Sequence, residues 1–223
     1  MDKEKRAVLI TAGPTREAID PIRYITNHSS GKMGYAIAEA FLDLGYPVVL
    51  VSGPVNIALE HPDLTVVQIN TADEMHAACS GHFDQVAVAV FAAAVADYKP
   101  AIVHQEKLKK SDEEFNLLMV KNVDIAYEFG RQKKETQVAV GFALETNEED
   151  QNAVSKLQRK NLDLVILNST RDTGATFGFD TNKITIIDQL LRYNRLPLKT
   201  KKAVGVEIAV AALDVLRQKL ETT

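Results

Sequence analysis

The residues of this 223-residue chain whose positions invite chemistry are an asparagine, an aspartate and two groups of lysines. Asn27 lies in a long polar stretch, Thr15 to Ser30, between an apolar run and the first helical pattern. An amide donor held in such a loop can polarise a carbonyl or hold an oxyanion; the plainer alternative is an asparagine that shapes a turn. Its neighbour His28 is a candidate base, or a surface residue that only hydrogen-bonds. Asp97 follows Phe91-Ala92-Ala93-Ala94-Val95-Ala96, where small side chains let a ligand approach the backbone closely. It is a candidate for contact with a metal-bound phosphate or a ribose, or the cap of the next turn. Lysines gather at 107, 109 and 110, and again at 156 and 160 with Arg159 between them. On a chain with 26 basic and 30 acidic residues and a net charge of −4, local cationic clusters suit a small anionic ligand better than a nucleic acid. A solvated lysine face is the alternative.

Other chemistries are disfavoured by the spacing. The dinucleotide fingerprint G-x-G-x-x-G is missing after the first strand, and the second strand ends in Val51-Ser52-Gly53 with no acid to hold a ribose. No tyrosine has a lysine four residues later. Ser29-Ser30-Gly31-Lys32 looks like the end of a Walker A loop, but the leading glycine is absent and Met33 replaces the Ser/Thr that would touch magnesium. What remains is a helix N-terminus that either holds an anion or is simply capped by Ser30. Cys79 is the only cysteine, so there is no disulfide framework, and it reads as a small, half-buried residue. No metal ligands can be named. The longest apolar run, Val86 to Ala96, is too short to cross a bilayer. A reduced, cytoplasmic protein with neither a membrane nor a nucleic-acid partner is expected.

These residues need a scaffold, and the hydrophobic pattern supplies one. With 46% hydrophobic and 25% charged residues the chain is of ordinary globular composition, and with no linker in sight one domain over 1–223 is expected. Ala7–Thr11, Val48–Val51, Val66–Ile69, Val86–Ala94, Val138–Phe142 and Leu164–Leu167 read as short strands, several of them apolar on both faces. Helical patterns follow Gly31, Thr71 (a capping box with Glu74), Glu148 and Val204, and Lys183–Asp188 alternates as a late strand. Alternation of buried strands and helices predicts an α/β fold: a three-layer, Rossmann-like domain with a mostly parallel sheet. Ligands bind such sheets outside the carboxyl ends of the strands, where the strand order reverses.

Longer motifs then carry a resemblance. Thr11-Ala-Gly-Pro-Thr-Arg-Glu17, Ile19-Asp-Pro21 and Arg23-Tyr-Ile-Thr-Asn-His-Ser-Ser-Gly-Lys-Met-Gly34 are followed by Ala93-Ala-Val-Ala-Asp-Tyr98 and Glu106-Lys-Leu-Lys-Lys110. Val120-Lys-Asn122, Gly141-Phe-Ala143 with Glu145-Thr-Asn147, and Lys160-Asn161 complete the order. Across essentially its whole length the chain resembles the phosphopantothenoylcysteine synthetases of coenzyme A biosynthesis, of the bacterial CTP-dependent type. The resemblance implies a ligase that joins 4′-phosphopantothenate to L-cysteine through an acyl-cytidylate, releasing pyrophosphate and CMP. It implies CTP with Mg²⁺ and no flavin in this chain, a homodimer, and fusion to or association with a flavin-dependent phosphopantothenoylcysteine decarboxylase.

Roles follow from the same resemblance. Asn27 corresponds to the residue that holds the activated carbonyl, Arg23 to its helper, and Lys107 to a lysine on a flap around 104–115. Phe91, Ala92, Ala93, Asp97, Lys107, Val123, Asp124, Ile125, Ala126, Phe142, Lys156 and Lys160 correspond to nucleotide contacts. Asn27, Ala93 and Ala94 border the substrate. Lys156 and Lys160, at i and i+4, would repel on one helix face unless a bound polyphosphate offset the repulsion. Ala18 and Val123 replace prolines common in the family, Leu144 replaces an alanine, and Asn168-Ser169-Thr170 stands where Asn-Asp-Val is common.

Overall fold

The computed structural model describes residues 5–109, 115–169 and 179–222. Apolar runs form the middle of an eight-stranded sheet: β1 (Val8–Ala12), β2 (Val48–Ser52), β3 (Leu64–Gln68), β4 (Val88–Phe91), β5 (Val138–Glu145), β6 (Leu164–Ser169), β7 (Ile184–Asp188) and β8 (Tyr193–Arg195). The order is β8-β7-β6-β5-β4-β1-β2-β3. The six strands β1 to β6 are mutually parallel; at one edge β7 runs antiparallel to β6, and β8 antiparallel to β7. The expected α/β, mostly parallel sheet is thus present, and its order reverses between β1 and β4, the place where such sheets hold ligands.

Side chains of β1 alternate between two cores, as the period of a strand requires. Val8, Ile10 and Ala12 pack beneath α1 (Lys32–Asp43) and α5 (Lys201–Thr222) with Ile37, Phe41, Val204 and Ile208. Leu9 faces the other layer, α2 (Ala72–His82), α3 (Ile125–Gln132) and α4 (Glu149–Arg159), among Met75, Phe129 and Leu157. The capping box Thr71–Glu74 forms as expected. Gly45, at φ 74°, closes α1: its N–H donates to Leu42 O and that of Tyr46 to Phe41 O, the two bonds that satisfy the last carbonyls. No described helix is long and apolar enough to cross a membrane.

Three local expectations change. The cap of α1 is Gly31 at φ 77°, with no side-chain cap bond, so Ser30 does not play that part. The polar stretch after β1 is not a plain loop: Arg16–Ala18 and Tyr24–Thr26 pair as an antiparallel ribbon. The run Val86–Ala94 is strand only to Phe91, because Ala92 to Ala96 turn away to pair with the chain leaving β1.

That pairing shapes the site. Ala94 N donates to Gly13 O at 2.9 Å, and Thr15 N donates to Ala94 O at 3.3 Å. Two buried hydroxyls extend it, Thr11 Oγ1 accepting from Ala93 N at 3.2 Å and Thr15 Oγ1 from Ala96 N at 3.1 Å. Thr15→Val keeps the shape but strands the buried Ala96 N–H, an expected loss of about 1–3 kcal/mol in urea denaturation. Thr15→Ser, which keeps the acceptor, is expected to retain most of that stability. Equal stability of the valine and serine variants would contradict the pairing.

Candidate functional site

Above the paired segments lies a cleft in two connected parts, at the carboxyl ends of β1, β4 and β5. The narrow part, about 160 Å³, is walled by Phe91, Ala93, Asp97, the segment Val123–Ala126, Phe142, Lys156 and Lys160. The wide part, about 470 Å³, shares Ala93, Asp97, Phe142 and Lys156 and adds Asn27, Ala92, Ala94, the start of α1, Asn168, Asn182 and Lys201. Residues drawn from positions 11 to 201 of the sequence are therefore brought into one space.

The two lysines of α4 sit there with partners of their own. Lys156 Nζ is 2.6 Å from Glu145, and Lys160 Nζ is 2.7 Å from Asp124 Oδ1. Asp124 caps α3 as well, its Oδ1 accepting from Tyr127 N at 3.1 Å. The expected repulsion between the lysines is thus offset within the protein, each ammonium having a carboxylate beside it.

Asn27 reaches the cleft as expected, its Nδ2 donating to Ala94 O at 3.0 Å. Arg23 and Lys107 line neither part of it. Arg23 grips Asp20 instead: Nε and Nη2 donate to Oδ2 at 2.9 and 2.5 Å. The same carboxylate accepts from Ile22 N and Arg23 N on Oδ1, and from Leu108 N at 3.2 Å on Oδ2, while Arg23 Nη2 also donates to Leu108 O at 3.2 Å. Asp20 and Arg23 therefore anchor the segment that carries Lys107, whose own side chain is exposed. Part of the expected flap, with Lys110, falls outside the described residues.

Asp20 was visible in the sequence only as part of Ile19-Asp-Pro21, with no role attached. Its signal is the turn chemistry: an aspartate whose side chain bonds the amides two and three residues on. Asn122 and Asn168, met in the sequence within motifs, also line the cleft, as do Asn182 and Lys201, which were not singled out. Among the described residues Asn122 Oδ1 and Asn168 Oδ1 are buried without a hydrogen-bond partner. No three His, Cys, Asp or Glu side chains converge as a metal site among the described residues. Cys79 is fully buried rather than half-buried, and burial pushes its thiol up to about 12, so it is inert.

A family model described as "DNA/pantothenate metabolism flavoprotein C-terminal domain" matches residues 3–215. A cysteine/cysteine sulfinic acid decarboxylase from an unknown prokaryotic organism is 46% identical over 91% of this chain and 56% of its own length. The coenzyme A biosynthesis bifunctional protein CoaBC of Bacillus subtilis (strain 168) is 44% identical over 94% of this chain and 52% of its own. The chain spans about half the length of these curated relatives. A crystal structure of the C-terminal domain of a CoaBC protein superposes with a TM-score of 0.80 at 38% identity, covering 98% of this chain and 97% of that one.

These findings correct the narrower expectations. The matching family is that of a pantothenate-metabolism flavoprotein, with a decarboxylase among the relatives, and not a CTP-dependent ligase family. The ligase reaction, and with it CTP, Mg²⁺ and free L-cysteine as reactants, is not carried forward. The expectation that leaves flavin out is likewise overturned at the level of the family, which is named for a flavoprotein. The cleft itself is a poor seat for a flavin ring. Phe142 is the one partly exposed phenyl ring on its walls, since the Phe91 ring is 6% exposed and stacked on Phe129.

The Asp20 anchor has a pH signature. The Arg23 guanidinium, helped by three backbone amides, holds the Asp20 carboxyl well below the usual carboxylate range. A depressed carboxyl contributes stability that is complete above its unfolded value, about pH 4, and is lost as pH falls further. Asp20→Asn is expected to flatten the decline of the urea midpoint between about pH 5 and pH 3. An unchanged acid decline in that variant would contradict the anchor.

Proposed function

The chain belongs to the DNA/pantothenate metabolism flavoprotein C-terminal domain family, and on that premise we propose that it supplies the binding site for a phosphorylated pantothenate–cysteine compound within a larger coenzyme A biosynthesis enzyme. The observation that carries this reading is the cleft: two parts at the sheet's switch point that share Ala93, Asp97, Phe142 and Lys156, with Lys160 on the narrow part, Lys32 and Lys201 on the wide one, and small residues on its floor. Such a shape suits a long, narrow acid with an anionic group at each end better than a compact one. The family description supplies pantothenate, and the names of the relatives supply cysteine and coenzyme A.

The protein's own residues then have defined tasks. Lys156 and Lys160 exchange their carboxylate partners for an anionic group of the ligand; a phosphate, carrying more charge and more acceptor oxygens, competes well for them. Ala93 and Ala94 admit the ligand's narrow middle against the backbone. Asn27, fixed by Ala94 O, presents its amide oxygen and remaining N–H at the mouth. The chain is proposed to act as one folding unit in the cytoplasm. Self-association is supported by apolar side chains left exposed on the Arg16–Thr26 ribbon, Ile22 at 61%, and beside a second antiparallel pair, Tyr98–Pro100 with Met119–Lys121, Ile102 at 66% and Leu118 at 74%.

Phosphopantothenate–cysteine is expected to raise the melting temperature of the protein, with a stabilisation of about 2.7 kcal/mol at a hundred times its Kd. Lys160→Gln is expected to weaken that binding roughly tenfold or more, the scale of one charged hydrogen bond. No thermal shift with this compound, or a shift equally large with cysteine alone, would contradict the proposal.

A further inference from the structure

We propose that Gly130 and Asn161 are positioning residues that aim Lys160 into the narrow part of the cleft, through a clamp between the carboxyl ends of α3 and α4. The inference rests on the reading above in taking Lys160 to meet the anionic group of the cleft's ligand.

The clamp begins with how α4 stops. Asn161 stands at φ 51°, in the left-handed region that glycine and asparagine enter most readily. Its N–H donates to Gln158 O at 3.1 Å and that of Leu162 to Leu157 O at 2.9 Å, the pair of bonds that closes a helix with such a residue. Lys160 is the cap residue just before this turn, so the turn sets where its backbone lies. The Asn161 side chain turns to the neighbouring helix: Nδ2 donates to Gly130 O at 2.9 Å, one of the last carbonyls of α3. In return Asn161 O accepts from Lys133 Nζ, and the same ammonium lies 3.6 Å from the buried Asp163 Oδ2.

Gly130 is the second, independent observation. It is buried, and a Cβ built on it would lie 2.0 Å from Lys160 O, a backbone atom. The two helices therefore touch backbone to backbone, at a separation that only glycine permits. With an alanine there, Lys160 O would have to retreat by about 1 Å before the contact became tolerable. The consequence falls at the other end of α3. Asp124 caps that helix at its start, and Lys160 Nζ lies 2.7 Å from Asp124 Oδ1 on the wall of the narrow part. The close approach of the helix ends is what lets one lysine side chain, rooted at the end of α4, reach the start of α3.

Calorimetric binding of phosphopantothenate–cysteine, and of the same compound without its phosphate, tests the clamp on the full chain. Gly130→Ala is expected to lose roughly tenfold in affinity for the phosphorylated compound, as Lys160→Gln does, with the phosphate-free compound within about twofold of the unaltered chain. In a Lys160→Gln background Gly130→Ala is expected to add no further loss, a result that a merely structural role would not produce. Asn161→Gly keeps the left-handed turn and removes the bond to Gly130 O. Its expected loss is roughly threefold, again absent without Lys160, and it decides the matter if Gly130→Ala does not fold. Equal weakening of both compounds, additive losses in the double variant, or unchanged affinity in a folded Gly130→Ala would overturn the clamp. If the unaltered chain binds neither compound, or Lys160→Gln binds as well as it does, the functional reading fails by itself. A crystal structure of Gly130→Ala, or of Asn161→Gly if the first does not fold, then decides. A Lys160–Asp124 separation beyond about 4 Å supports the clamp, and an unchanged pair overturns it.

Discussion

Everything in the site depends on the chains leaving β1 and β4 staying paired. Where the strand order of a parallel sheet reverses, the two connections ordinarily run to opposite faces and a crevice opens between them. Here Gly13 to Thr15 and Ala93 to Ala96 remain hydrogen-bonded beyond the sheet, and the hydroxyls of Thr11 and Thr15 take up the amides the turn would strand. The crevice therefore has a floor of backbone and small side chains, and the charged residues stand at its ends. Asn27 owes its place to this floor, because its amide is fixed by the carbonyl of Ala94.

The electrostatics follow one rule. Cations near the cleft are held by carboxylates that a ligand can displace, as at Lys156 and Lys160. Cations that hold the framework are tied to carboxylates no ligand reaches. Asp20 with Arg23 is one such tie; Asp163, 2% exposed, is another, accepting from Ala139 N and lying 2.6 Å from Lys219. Breaking a buried pair of the second kind leaves a charge without a partner and costs several kcal/mol, whereas exchange at the first kind replaces one anion by another. The same chemical pairing thus lines the cleft in one place and holds the framework in the other.

Much of this was legible from the residues. Continuous apolar runs announce strands covered on both faces, and the order of strands and helices announces the sheet. The small residues after Phe91 and the lysines at 156 and 160 announce where the cleft lies. The partners of those lysines were not legible, since Glu145 and Asp124 come from elements whose approach depends on tertiary packing. Nor was the task of Arg23: the sequence shows an arginine near Asn27, but only the fold shows that Asp20 turns it toward Leu108. Lys201 escaped notice because the terminal helix is expected only from Val204, and a lysine ahead of it reads as solvated until its burial is known. The reaction was the least legible, because sequence motifs that resemble a ligase fix the positions of residues and not the chemistry of the whole enzyme.

The central claim is that one anionic ligand spans the floor between the two cationic ends. A crystal structure of the chain with phosphopantothenate–cysteine tests it most directly. The compound is expected to lie over Ala93 and Ala94, with its phosphate against Lys156 and Lys160 and its other acid in the wide part of the cleft. A ligand found outside the cleft, on the ribbon of Arg16 to Thr26 or on the outer face of α4, would contradict the account.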